Sequence, residues 1–169
     1  MASAFRYKPG SIVKALKSNV KISYGGKSID VIALWDTGAT TCCVSEDVVK
    51  KLSLVSTGNL RISTPSSSNE LVDIYLVDLL LPNNIKIDDV VVAHSKIGAQ
   101  GIGLLVGMDI ISKGDFLITN NNETIFSFRM PSEHLPDFVS GIKLKNIMGD
   151  LHGNGKKKNK NKNKKKKKR

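Results

Sequence analysis

Cysteine is nearly missing from this chain: among 169 residues only Cys42 and Cys43 are cysteine, and they are neighbours. Adjacent residues cannot tie distant segments together, so a disulfide framework is excluded. A reducing, cytoplasmic compartment is expected, with both thiols serving as small apolar side chains in or near the core. Histidine is sparse too. His94, His134 and His152 lie far apart with no cysteine at metal-ligand spacing, so no metal site is read. No apolar run reaches the roughly 18 residues a membrane helix needs, because Leu71 to Leu81 is interrupted by Asp73 and Asp78. Residues 1–16 hold Lys8 and Lys14 but no apolar core, so no secretory signal is read and the mature chain is expected to start where the sequence does.

Positive charge is concentrated at one end of the chain. The formal net charge is +11, yet eleven of the 26 basic residues fall in 156–169, where no acid occurs, leaving 15 basic against 15 acidic residues in 1–155. The positive charge therefore belongs to an appendage on a neutral body. A tract of Lys and Asn has nothing apolar to bury and cannot offset its ordering entropy, so 153–169 is expected to be disordered. Its plainest role is as a solvated extension, and the partner it suggests is a polyanion bound weakly and non-specifically by 156–169. No aromatic is interleaved with those lysines, so base stacking is not suggested. The length suits one domain. The expected division is an N-terminal extension over 1–17, a domain over 18–131, a linker or dimer-contact segment over 132–152, and the tail over 153–169.

Along the body, Asn19 to Tyr24 and Lys27 to Trp35 read as strands joined by Gly25-Gly26. Ser45 precedes Glu46 and Asp47 and is expected to cap a two-turn helix through Val48, Val49 and Leu52. Residues 56–69 are rich in Ser, Thr, Asn, Gly and Pro, with a short β-prone piece at Leu60 to Ile62, and read as a mobile hairpin or loop. Glu70 to Leu81 and Ile85 to Ala93 form a second hairpin across Pro82-Asn83-Asn84. Met108 to Lys113 is expected to be a short helix stopped by Gly114. Asp115 to Thr119 and Thr124 to Met130 close the domain as a hairpin around Asn120-Asn121-Asn122. Many short strands with two short helices predict a mostly-β barrel or sandwich.

Asp36 is the residue most out of keeping with its surroundings. It follows the apolar run Val31 to Trp35, and a carboxylate at the end of a buried strand is costly unless it is hydrogen-bonded or shares a proton. Gly38 lets backbone approach closely and exposes its N–H, while the Thr37 hydroxyl can bond outward. These are the parts of an acid/base site.

The stretch Ala33-Leu34-Trp35-Asp36-Thr37-Gly38-Ala39-Thr40-Thr41 resembles the catalytic signature of the single-lobe, retropepsin-like aspartic proteases. Leu105-Val106-Gly107-Met108-Asp109-Ile110-Ile111 is similar to the family's later element of two apolar residues, a Gly and a short helix. The resemblance covers roughly residues 18–130 and is nearest to stand-alone bacterial members. It implies a mostly β fold, a single-lobe closed β-barrel with one or two short helices, working as a homodimer. The chain has one Asp-Thr-Gly, so the implied catalytic pair is Asp36 from each of two subunits, cleaving a peptide or protein substrate without metal or cofactor. Thr37, Gly38 and Ala39 would support the active-site loop, Val106 and Gly107 would pack beside it, and Thr64, Pro65, Ser66, Ser67 and Ser68 occupy the flap position. The flap departs from the viral pattern, with only Gly58 well before its tip. The alternative is a non-catalytic module that keeps the fold for dimerisation or peptide binding and docks to nucleic acid or another polyanion through its tail.

Three further features have plain readings. Trp35 packs in the core or at an interface. His94 is satisfied or exposed rather than catalytic, and Asp109 caps or begins its helix. Gly98 to Gly103 precedes a strand and lacks Lys-Ser/Thr, so it is not a phosphate loop.

Overall fold

The computed structural model describes residues 2–64, 67–98, 101–133 and 142. The ten strands and two helices found among them lie in the compact unit Met1–Glu133. The expectations for 134–141 and 143–152 and for the tail fall outside the described residues, as do Pro65, Ser66, Ala99 and Gln100.

Turn chemistry sets the first hairpin. β2 (Leu16–Tyr24) and β3 (Lys27–Trp35) pair antiparallel in register from Leu16↔Trp35 to Tyr24↔Lys27. Gly25 and Gly26 between them both have positive φ, 54° and 79°, which a two-residue turn of this twist requires. β4 (Cys43–Val44) leads into α1 (Glu46–Leu52), whose Ser45 cap accepts the Val48 N–H and whose Val48 and Leu52 are buried. The helix ends where Ser53 turns left-handed.

β5 (Gly58–Thr64) pairs with β6 (Ser67–Leu81) out to Thr64↔Ser67, with a register shift between Ile62 and Thr64. Of the two readings of 56–69, hairpin or loop, the structure has the hairpin, with Leu60 to Ile62 in its first strand. β7 (Ile85–His94) returns along β6 after a turn in which Asn83 and Asn84 both adopt φ 58°. β8 (Leu104–Val106) lies between β3, which it pairs in parallel, and β4, which it pairs antiparallel. α2 (Met108–Ile111) comes next and is shorter than the Met108 to Lys113 expected. Lys21↔Leu80 pairing of β2 with β6 closes the ring β2-β3-β8-β4-β7-β6 into a six-stranded barrel.

A second sheet has the order β1-β10-β9, from β1 (Ser3–Tyr7), β10 (Ile125–Met130) and β9 (Asp115–Thr119). Residues 1–17, read from sequence as an extension, therefore supply a strand whose Phe5 is buried. Farther along, the Val13 N–H donates to the buried Thr124 hydroxyl and the Thr124 N–H to Ser11 O. Phe5, Trp35, Phe116, Phe126 and Phe128 form one aromatic cluster, with Trp35 stacked on Phe116 at 5.5 Å. Trp35 is 4% exposed and its Nε1–H donates to Ser18 Oγ at 2.9 Å. The indole is core, with its one polar atom satisfied.

Candidate active site

β3 delivers Asp36 to the mouth of a tight turn. The Asp36 N–H donates to Val106 O at 3.0 Å, so the last peptide of β3 is fixed by β8. The Ala39 N–H donates to Asp36 O at 3.2 Å and closes the turn. The Gly38 N–H donates to Asp36 Oδ1 at 2.8 Å, turning the carboxylate back over its own loop. A Cβ on Gly38 would come within 3.1 Å of that oxygen, so a side chain here would push the carboxylate from its place by a few tenths of an ångström.

The β8–α2 corner supports the other arm. The Met108 N–H donates to Ala39 O at 2.8 Å. A Cβ on Gly107 would meet the Thr41 carbonyl carbon at 2.8 Å and Ala39 O at 3.0 Å, so only glycine lets the corner approach this closely. Asp36, Gly38, Ala39, Val106 and Gly107, separated by up to 71 positions, are therefore brought to one place. Thr37 is exposed at the tip of the turn, and Asp36 is half-buried.

A cavity of about 330 Å³ opens beside Asp36, walled by Leu16, Leu34, Trp35, Thr37, Phe116 and Ile118 among others. A larger one of about 640 Å³ lies against Ser28 to Ile32, Val48 and Gly103, but Asp36 is not on its wall. The smaller is the one whose lining includes the carboxylate oriented by the Gly38 N–H.

Thr64 and Ser67, which the resemblance puts in the flap position, are paired in the β5–β6 ladder, and Ser68 continues β6. Below them the Asn69 N–H donates to Ser63 Oγ, and Arg61 donates to Asn69 O at 3.2 Å, with Asn69 at φ 60°. The hairpin is thus stiffened by side chains beneath its tip.

Cys42 is fully buried and Cys43 partly so. Burial, and then the hydrogen bond to Asp109, pushes the Cys42 thiol far above its ordinary value. Burial and the Asp109 charge push Cys43 up to about 11. Both remain protonated thiols at neutral pH and are poor nucleophiles. His94 departs from the expectation that it is satisfied or exposed: its Nε2 is buried and has no hydrogen-bond partner among the described residues. Asp109 stands in the first turn of α2, as expected, and its Oδ1 accepts the Ile110 N–H. Its contact with Cys42 has no counterpart in the sequence reading, because no local pattern links positions so far apart.

No protein-family model and no curated protein matches the sequence. Among solved structures, a retropepsin-like aspartic protease from Rickettsia conorii is 13% identical, with a TM-score of 0.51 over 77% of this chain and 94% of that one. The chain has a retropepsin-like fold. The retroviral protease-like domain of Ddi1 from Leishmania major also matches, at 12% identity and a TM-score of 0.39 over 67% of this chain and 95% of that one. A foamy viral protease-reverse transcriptase matches at 18% identity and a TM-score of 0.41, over 56% of this chain and 11% of that one. In the retropepsin-like frame the closed barrel and two helices agree with the architecture expected from sequence. No helix among the described residues is long and apolar enough to cross a membrane.

Proposed function

We propose that the chain is an aspartic-type endopeptidase acting as a homodimer, with the two Asp36 carboxylates of a dimer forming the catalytic pair. The observation that carries this reading is the Asp36 turn. Each chain supplies one half-buried carboxylate at the end of a barrel strand, oriented by the Gly38 N–H and opening onto a cavity. Ile118, 43% exposed on that cavity's wall, offers apolar surface that a second copy would bury.

Two carboxylates about 3 Å apart cannot both ionise at low cost, so the pair titrates as a unit with one shared proton. The ionised member takes a proton from a water held between them, the water attacks the peptide carbonyl carbon, and the protonated member donates to the carbonyl oxygen. Collapse of the tetrahedral intermediate passes a proton to the leaving amine. In this scheme Thr37 bonds across the dimer and Ala39 lies beside the peptide, with Val106 and Gly107 holding the loop from behind. The peptide binds extended, as an added strand beneath the flap formed by Thr64, Pro65, Ser66, Ser67 and Ser68. The two reduced thiols suit action in the cytoplasm. Losing the dimer abolishes the site, since one chain holds half of it.

The test is to incubate wild type and Asp36→Asn with an unstructured protein at several pH values between about 3.5 and 7. Fragments are expected from wild type alone. Equal cleavage by both contradicts the reading, and a dimer that binds peptides without cutting them would favour the non-catalytic module.

A further inference from the structure

Asp109 makes more bonds than a helix start needs. One, to the Ile110 N–H at 3.0 Å, is local to α2. The other two reach Cys42, 67 positions earlier: its N–H donates to Asp109 Oδ2 at 2.8 Å and its thiol donates to Oδ1 at 3.0 Å. The Cys42 sulfur in turn accepts the Gly107 N–H at 3.3 Å, closing a ring of Asp109, Cys42 and Gly107 behind the Asp36 turn.

We propose that Asp109 is a positioning residue that fixes the Asp36 carboxylate through Cys42. Both arms of the turn hang from one corner of the molecule. The front arm is held by Val106 O on the Asp36 N–H and the rear arm by the Met108 N–H on Ala39 O. Three residues beyond Ala39 the rear arm is fastened again, by the carboxylate of Asp109. Cys42 is buried, so its N–H and thiol have no water to replace that acceptor. Without it the rear arm keeps neutral bonds alone, among them the Met108 N–H to Ala39 O and the Ala93 N–H to Cys42 O, which are weaker than one to a carboxylate, and the carboxylate that must meet its twin within hydrogen-bond reach of a common water is held less firmly.

The catalytic part of this inference rests on the endopeptidase reading, and the experiment separates the two. Full-length wild type, Asp109→Asn, Cys42→Ala and Cys42→Ser are compared by kinetics on one peptide and by amide hydrogen exchange. Asparagine keeps the shape of Asp109 but sets an NH₂ against one of the Cys42 donors. Asp109→Asn and Cys42→Ala are expected to lower kcat, by up to about 100-fold for a misplacement near 1 Å, with KM changed less than about threefold. Their combined loss should fall well short of the product of the single losses. Cys42→Ser, which retains a donor to Oδ1, should restore most of kcat. The Gly38 and Cys42 amides should exchange faster in Asp109→Asn than in wild type, while amides of β6 and β7 do not.

A kcat for Asp109→Asn within about twofold of wild type would overturn the proposal, as would a loss wholly in KM or one that Cys42→Ser shares fully with Cys42→Ala. If Asp109→Asn does not fold, the two Cys42 variants decide by the same criteria. If wild type cuts nothing, the endopeptidase reading fails, and unchanged exchange at Gly38 and Cys42 would then overturn the positioning role independently.

Discussion

Gly107 and Asp115 show how single residues set the stability of the parts that hold the site. A methyl group on Gly107 would lie 2.8 Å from the Thr41 carbonyl carbon and 3.0 Å from two backbone oxygens, none of which can swing aside as a side chain would. Gly107→Ala is expected to cost roughly 1–3 kcal/mol by chemical denaturation, the range for overpacking a rigid site. Asp115 accepts hydrogen bonds from the Ser132 hydroxyl, the Glu133 N–H and Arg129, and these hold its carboxyl down to about 2. An unfolded aspartate titrates near about 3.9. A carboxyl depressed in the folded state stabilises at every pH above the unfolded value and loses that contribution as pH falls through the folded one. The stability gap between wild type and Asp115→Asn is therefore expected to be constant from about pH 7 to about 5 and to close between about pH 4 and 2. Denaturant midpoints across that range check it, and a gap that closes between pH 7 and 5 instead would contradict it.

Elements built from neighbours in sequence were legible, and those built across the chain were not. Gly25-Gly26, Pro82-Asn83-Asn84 and Asn120-Asn121-Asn122 each specify a turn by what their own backbones tolerate, and Ser45 announces its helix through the acids Glu46 and Asp47 directly after it. The five residues of β1 carry too little alternation to be seen beside Pro9 and Gly10, and they become a strand only because β10 offers a partner and the aromatic cluster buries Phe5. Likewise β8 is three residues long, and nothing local reveals that it lies parallel to β3 and holds the Asp36 N–H. Asp36, Gly38 and Gly107 were readable because their spacing matches a known pattern. The Asp109–Cys42 link was hidden because a carboxylate and a thiol 67 positions apart form no motif.

For the whole molecule, charge and chemistry separate. The net charge of +11 equals the count of basic residues beyond position 155, while the 15 acidic residues before it include Asp36, on which the proposed function turns. Because each chain carries a single Asp-Thr-Gly, the central claim is about two copies, and subunit mixing tests it most directly. Wild type and Asp36→Asn are combined in varying ratio at fixed total protein, exchanged to equilibrium, and assayed on one peptide. If the active unit needs Asp36 from both subunits, activity varies as the square of the wild-type fraction, so an equal mixture retains about a quarter of full activity. An equal mixture that retains about half, with activity linear in wild-type fraction, would mean that each chain works alone and would contradict the shared pair.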